Sequence, residues 1–230
     1  MSKFVNRFVV SDHHFGHTNS WAKFKLADGC TPLRPFESDD EMNEAMIERH
    51  NAKVKQHDTV YFLGDVVINR KHLHLVKQLN GRKILIRGNH DIFRDDDYRE
   101  VGFEQIHGVR VFVDKFIMSH IPLHPDCVSG RFRVNVHGHL HSNRVMRDNP
   151  MYSRVVDPAT YQPQYMDNIT GQRFPVTDEN TAKMFKQIDP RYLCVCVEQT
   201  DFAPLHFDEV EARIQKQWEE TGYTPPTNDG

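Results

Sequence analysis

Thr59-Val60-Tyr61-Phe62-Leu63-Gly64-Asp65 and Lys83-Ile84-Leu85-Ile86-Arg87-Gly88-Asn89-His90-Asp91 share one build. Each is a short apolar run that ends on a glycine and then on residues able to bind a cation. Runs this short and this apolar read as strands buried on both faces. Between them Leu73, Val76 and Leu79 fall on one stripe, which predicts a helix from Lys71 to Leu79, stopped by Asn80-Gly81. Strand, helix, strand is the rhythm of parallel β-structure in an α/β layered core. In such folds functional groups gather beyond the carboxyl ends of the strands. Asp65 and the Gly88–Asp91 stretch are placed there.

The pattern extends both ways. Upstream, Arg7–Ser11 predicts a buried strand that runs into Asp12-His13-His14. Residues 18–37 read as loop, broken by Gly29, Pro32 and Pro35. Ser38-Asp39-Asp40-Glu41 is a capping box, and Met42, Ala45, Met46 and Arg49 carry a helix on to about Lys55. Downstream, Arg110–Val113, Lys115–Met118 and Arg133–Val136 predict strands. The last two lead into Ser119-His120 and Gly138-His139-Leu140-His141. Tyr192–Val197 is again strand-like, and Asp208–Glu220 predicts a helix with Val210, Ile214 and Trp218 on one face. Between Ser142 and Pro190 Pro150, Pro158, Pro163 and Pro175 interrupt every pattern, among scattered tyrosines, with no visible repeat. Loops of that length are usually functional or disordered. The expected organisation is one domain over 1–220 with an insertion at 142–188 and a frayed tail at 221–230.

The chain has 230 residues and a formal net charge of -3, which disfavours a surface made to grip long duplex nucleic acid. No apolar run reaches the roughly 18 residues of a membrane span, and the amino-terminal residues lack the apolar core of a signal peptide. Cys30, Cys127, Cys194 and Cys196 form no metal-binding pair. They read as reduced packing residues of a cytoplasmic protein.

The motifs after the strands supply carboxylates, imidazoles and one carboxamide, a ligand set for two divalent ions side by side. Such ion pairs hydrolyse phosphate esters. Taken singly, each residue has an ordinary reading. Asp65 could cap the next segment, Asn89 could occupy a left-handed turn, and His120 could be a satisfied core histidine. Five such motifs, each after a strand, make those readings untenable together.

The series Asp12-His13-His14, Gly64-Asp65, Gly88-Asn89-His90-Asp91, His120 and Gly138-His139-Leu140-His141 resembles the calcineurin-like metallophosphoesterase superfamily across residues 8–141. Ser11-Asp12-His13-His14-Phe15-Gly16-His17, Arg34-Pro35-Phe36-Glu37-Ser38 and the segment from Asp189 to Val210 resemble a branch of small bacterial and phage members. The resemblance implies a four-layer α/β/β/α sandwich of two mixed sheets flanked by helices. It implies that Asp12, His14, Asp65 and His141 hold one ion, that Asp65, Asn89, His120 and His139 hold the other, and that Asp65 bridges. A water activated by both would attack phosphorus in line with the leaving oxygen. His90 would protonate the leaving group and Asp91 would orient His90. His17, Asn89, Arg131 and Arg133 are candidates for contact with substrate phosphate, and His13 is expected to point away into the core.

Manganese is the expected ion, with iron, zinc, nickel or magnesium as alternatives. The expected substrate is a small phosphodiester or nucleotide, hydrolysed in the cytoplasm (the host's, if the protein is phage-encoded). Phosphomonoester or phosphoprotein hydrolysis is the alternative within the enzyme class. A non-catalytic scaffold should have lost His90 or a ligand, and this chain has lost none. Arg144, Arg147, Tyr152 and Arg154 would serve a module for single-stranded nucleic acid. For the 142–188 segment a lid, a homodimer contact and a surface elaboration all remain open.

Overall fold

The computed structural model describes residues 5–112, 115–128 and 132–226. These form two compact units, one from residues up to Asn143 together with those from Pro190 onward, the other Arg144–Asp189.

The larger unit starts with β1 (Arg7–Val10), the short helix α1 (Asn19–Ala22), α2 (Asp39–Lys53) and β2 (Thr59–Phe62). A 3₁₀ helix spans Arg70–Gln78. Then follow β3 (Arg82–Ile86), α3 (Asp95–Glu100), β4 (Phe103–His107), β5 (Val109–Phe112), β6 (Phe116–Ser119) and β7 (Val134–His137). The smaller unit contributes β8 (Met146–Asp148), β9 (Tyr152–Val156), β10 (Pro163–Asp167), β11 (Arg173–Pro175), α4 (Glu179–Met184) and β12 (Lys186–Ile188). The larger unit resumes with β13 (Tyr192–Cys194), β14 (Leu205–His206) and α5 (Phe207–Thr221). The fold class is α/β. No helix among the described residues is long and apolar enough to cross a membrane.

In the first sheet the order is β14-β1-β2-β3-β4, with β1 to β4 parallel and β14 antiparallel at the edge. The second sheet has the order β13-β7-β6-β5, with β13, β7 and β6 parallel and β5 antiparallel. Alternation along the first sheet builds two cores. Phe8, Val10, Val60, Phe62 and Leu85 face one way, onto Met42 and Met46 of α2 and Leu73 and Val76 of the 3₁₀ helix. Val9, Tyr61, Ile84 and Ile86 face the other way, onto Phe116, Met118, Val134 and Val136 of the second sheet. Val210, Ile214 and Trp218 of α5 join this second core. The Trp218 indole donates to the carbonyl of Pro190 at 3.0 Å, and Gln217 donates to that of Tyr192 at 2.9 Å. Central strands covered on both sides explain the unbroken apolar runs.

Two helical expectations are refined. Ser38 caps α2 by accepting from the Glu41 amide at 3.1 Å, while the Glu41 carboxylate reaches back to the Glu37 amide rather than to that of Ser38. The 70–78 helix is 3₁₀ rather than α. Leu73, Val76 and Leu79 recur every three residues, the period at which 3₁₀ side chains eclipse.

Residues 144–189 are ordered, contrary to the loop-like reading. β9, β10 and β11 form an antiparallel meander, and β8 pairs with β12. The core of this unit is aromatic. The Tyr165 ring stacks on Phe185 at 4.5 Å, and Tyr152 and Phe174 pack edgewise or tilted around them. Two of its prolines sit at element ends, Pro163 opening β10 and Pro175 closing β11, and Pro150 and Pro158 sit in turns, all places where a missing amide costs little. There is also a repeat. Asp157-Pro-Ala-Thr160-Tyr-Gln162 and Asp167-Asn-Ile-Thr170-Gly-Gln172 fold into the same turn. In each, the aspartate amide donates to the glutamine carbonyl (2.9 and 2.8 Å), and the aspartate Oδ1 accepts from the second and third residues that follow it. The left-handed fifth position is Tyr161 in one turn and Gly171 in the other.

One buried histidine of α2 gives the core a pH dependence. His50 stacks on Phe62, and its Nε2 bonds the carbonyl of Asn80 at 3.0 Å. Burial pushes its imidazole down to about 4, helped by the nearby Lys83 charge and opposed by the Asn80 bond. A histidine depressed on folding stabilises fully above its unfolded value, about 6.5, and loses that contribution as pH falls toward the folded one. His50→Gln should therefore be less stable than wild type at pH 7. The gap should narrow by at most about 1.4 kcal/mol per pH unit between about 6.5 and 4. Urea unfolding of both proteins at several pH values measures this, and a constant gap would exclude His50 as a source of acid sensitivity.

Candidate metal centre

Each motif leaves the carboxyl end of a parallel strand, and backbone bonds stitch the loops together. The Asp12 amide donates to Gly64 O at 3.1 Å, His14 to Asp65 O at 3.0 Å, Gly138 to His120 O at 2.9 Å and Val197 to Ser11 O at 3.1 Å. The last of these ties the end of β1 to the chain beyond β13, so the two sheets converge here.

Two groups of potential ligands result: Asp12, His14 and His141, and Asp65, His120 and His139. His14 Nε2 lies 3.4 Å from Asp12 Oδ1 and 3.6 Å from Asp65 Oδ2. His120 Nε2 lies 3.3 Å from Asp65 Oδ2 and 2.8 Å from Asn89 Oδ1, which also lies 3.0 Å from His139 Nδ1. Donors that each sit about 2.0–2.2 Å from one ion stand apart by distances of this order.

Two of the four histidines are anchored through Nδ1, which turns Nε2 toward the other candidates. His120 Nδ1 bonds Leu63 O at 2.7 Å and His141 Nδ1 bonds Glu198 Oε1 at 3.0 Å, leaving each Nε2 available. Space is reserved too. A Cβ at Gly64, whose φ is +87°, would lie 2.5 Å from the Gly88 nitrogen and 2.8 Å from His120 Nδ1. One at Gly138 would lie 2.0 Å from Ser11 Oγ and 2.4 Å from Asp12 Oδ2. The donor set, its spacing and the anchored imidazoles fit a pair of divalent cations.

Asp12 and His14 do face one point, but not through an extended chain. Both backbones are left-handed, with φ of 61° and 52°, and so are those of Asp65, His139 and His141. Among the described residues with positive φ, only Tyr161, Asp201 and Phe202 are neither glycine nor ligand candidates.

The electrostatics favour positive charge. Burial would raise the Asp12 carboxyl, but bonding to His14 and the neighbouring imidazoles hold it far below the usual carboxylate range. Burial would depress His120, but the Asp65 bond and the Asp12 and Asp65 charges push it up to about 9. In the metal-free chain a proton on His120 answers the carboxylates that a cation would otherwise neutralise.

The other expected residues divide. His13 is buried against Phe15 and Phe62. His17 stacks on His14 with ring centroids 5.5 Å apart, and burial, with the His14 and Arg34 charges, pushes it down to about 4. It would meet a phosphate as a neutral donor. His90 is exposed, with its ring 5.7 Å from that of His14 and its amide bonded to Asp65 Oδ1 at 2.8 Å.

Two expectations are corrected. Asp91 does not spend its carboxylate on the His90 ring. It is buried, and it accepts from the amides of Asp65 at 2.8 Å, Gly88 at 2.8 Å and Val66 at 3.2 Å, and from the Tyr98 hydroxyl at 3.3 Å. It ties two ligand loops together. Arg133 precedes β7, whereas the ligands follow it. It lines a cavity with Lys115, Glu211 and Trp218, at the far end of the strand from the ligands. Arg131 lies outside the described residues.

The sequence assigned no site role to Arg34, Glu198 or Ser11, and read Cys196 as a packing residue. Ser11 Oγ donates to Asp12 Oδ2 at 2.5 Å and Cys196 Sγ to the same oxygen at 3.1 Å. Arg34 and Glu198 form a buried ion pair at 2.7 Å behind the first group.

No family model matches the chain. Over 177 residues it is 30% identical to an uncharacterized protein of Methanocaldococcus jannaschii, covering 70% of this chain and 88% of that protein. The chain belongs to that protein's family. Among solved structures, that of a protein of unknown function from Aquifex aeolicus aligns over 91% of this chain and all of its own, with a TM-score of 0.54 and 20% identity. The two share a fold. Pseudomonas putida nuclease MPE aligns over 74% of this chain and 87% of its own, at 19% identity and a TM-score of 0.39. A likeness that low carries nothing to this chain.

The corrected place of Asp91 has a measurable consequence. Asp91→Ala leaves three amides without their acceptor, and each buried orphan costs about 1–3 kcal/mol. Metal-free Asp91→Ala should lose at least about 3 kcal/mol of unfolding free energy, whereas His90→Ala, at an exposed position, should stay within about 0.5 kcal/mol of wild type. If denaturant unfolding shows the two alike, Asp91 is not the organiser described.

Proposed function

We propose that this chain is a phosphoester hydrolase working with two divalent cations, of the calcineurin-like metallophosphoesterase kind, on a small phosphodiester or nucleotide. One observation carries the reading. Asp65 Oδ2 lies 3.6 Å from His14 Nε2 in one ligand group and 3.3 Å from His120 Nε2 in the other. A carboxylate common to both groups is what two adjacent cations require. The four-layer sandwich belongs to the same proposal, as does the cytoplasm, a compartment in which four free thiols are at home.

Asp12, His14, Asp65 and His141 would hold one cation, and Asp65, Asn89, His120 and His139 the other. Manganese is the first choice and iron, zinc, nickel or magnesium the alternatives. When bound, two such cations supply positive charge that lowers the pKa of a water and offsets charge on phosphoryl oxygens. The chain does the rest. His17, neutral and stacked on His14, can donate to a phosphate oxygen. His90, exposed beside His14, can give a proton to the leaving oxygen. Its turn is fixed by its own amide on Asp65, so the acid and the shared ligand keep register.

Asp65→Ala should reduce the metal content from two equivalents to none, read by elemental analysis of manganese-loaded protein after gel filtration. Retention of both equivalents with near-normal turnover would end the two-cation reading.

His90→Ala should keep its metals. Turnover of a diester with a poor leaving group should fall about 10²–10⁴-fold. A nitrophenyl diester needs little protonation and should lose roughly tenfold or less. Equal losses on both substrates would take His90 out of the acid role and leave it one of placing the phosphate.

A further inference from the structure

Arg34 is fully buried, though its guanidinium carries a charge. The loop that bears it has no catalytic residue, and the proposed chemistry leaves Arg34 idle. Its hydrogen bonds are specific. Nη1 donates to the carbonyl of His13 and Nη2 to that of Asp12, each at 2.6 Å. Nε donates to Glu198 Oε1 at 2.8 Å, and Nη2 lies 2.7 Å from the same oxygen. That oxygen also accepts from His141 Nδ1 at 3.0 Å. One planar fork thus grips the two peptide carbonyls between Asp12 and His14 and, through Glu198, the third member of the same group. Arginine alone presents donors in a rigid plane suited to several acceptors at once.

The second group is held mainly by other means, its one direct tie to Asp12 being the His139 amide on Oδ2 at 2.9 Å. His120 leans on Leu63 O, Asp65 Oδ1 takes the His90 amide, and His139 and His120 meet on Asn89. Neither Arg34 nor Glu198 touches Asp65, His120 or His139 in these bonds.

We infer that Arg34 and Glu198 are positioning residues for one cation site only, the one formed by Asp12, His14 and His141. They set its affinity by fixing the left-handed Asp12–His14 backbone and the His141 ring from behind. This rests on the reading of the two groups as a two-cation centre. A buried pair that merely anchored the 24–37 loop would affect both sites alike, or neither.

The test is manganese binding to metal-free protein, followed by calorimetry and by elemental analysis after gel filtration. The wild type, Arg34→Met, Arg34→Lys, Glu198→Gln and His120→Ala are compared. The wild type should take up two equivalents. Arg34→Met and Glu198→Gln should each keep one equivalent at near wild-type affinity and bind the other about 10–100-fold more weakly. Arg34→Lys should not rescue, since an ammonium has no fork to span two carbonyls and a carboxylate. His120→Ala should lose the opposite equivalent, so that Arg34→Met combined with His120→Ala retains a single equivalent, bound about 10–100-fold more weakly than in the wild type. Should Arg34→Met fail to fold, the near-isosteric Glu198→Gln decides the matter. Two wild-type equivalents in folded Arg34→Met or Glu198→Gln would overturn the inference, and so would an equal loss at both sites. A wild type that never binds two equivalents would overturn the two-cation reading itself, a different result.

Discussion

Left-handed backbone at Asp12, His14, Asp65, His139 and His141 is the constraint around which the rest of this protein is arranged. It turns side chains that would otherwise alternate above and below a strand toward one small volume. Such residues cost about 1–3 kcal/mol each, the lower end suiting Asp and His. Several in one place approach the whole net stability of a domain, about 5–15 kcal/mol. They persist because the surroundings dictate them. Gly64 O and Asp65 O take the Asp12 and His14 amides, Asp12 Oδ2 takes the His139 amide, and Arg34 holds the carbonyls of Asp12 and His13. Two sheets meeting at the carboxyl ends of their parallel strands bring these partners within reach.

The same crowding dictates small residues nearby. Gly88 shows it, since a Cβ there would stand 2.2 Å from Asp65 Oδ1 and 2.6 Å from its nitrogen. Buried carboxylates facing imidazoles also store an unmet demand for positive charge. In the metal-free chain protonated His120 meets part of it. A cation held here would displace that proton, so that its binding and proton release would be two sides of one equilibrium.

What the sequence made legible follows from where each interaction lies along the chain. β1, β2, β3 and β6 were readable because burial on both faces leaves nearly unbroken apolar runs, β7 from its paired valines, and the ligand motifs because each follows such a strand directly. The 70–78 helix was legible as a helix, and its period of three is what the 3₁₀ form favours. The strands inside the 144–189 unit were missed because its core is four aromatic rings rather than aliphatic alternation, and its prolines stand in turns or at strand ends instead of interrupting strands. The contact with His90 that the resemblance implies for Asp91 is not made, because the chain turns there and sends the carboxylate inward onto three amides. Arg34 and Glu198 stand 164 positions apart. Nothing in one sequence links two charges so distant, and only the fold shows that they meet.

The 144–189 unit leaves and re-enters the chain through a two-stranded ribbon. Met146 pairs with Ile188 and Asp148 with Lys186, and the Asp189 amide bonds Val145 O at 2.9 Å. Strands so paired run about 4.8 Å apart, so exit and return are neighbours whatever lies beyond them. A segment with adjoining ends, its own sheet and its own aromatic core behaves as a cassette. Relatives could gain, lose or exchange it in a single genetic event without redrawing the strands that carry the ligands. Diversity among such proteins would then be expected to collect at this junction while the loops of the candidate ligands drift slowly.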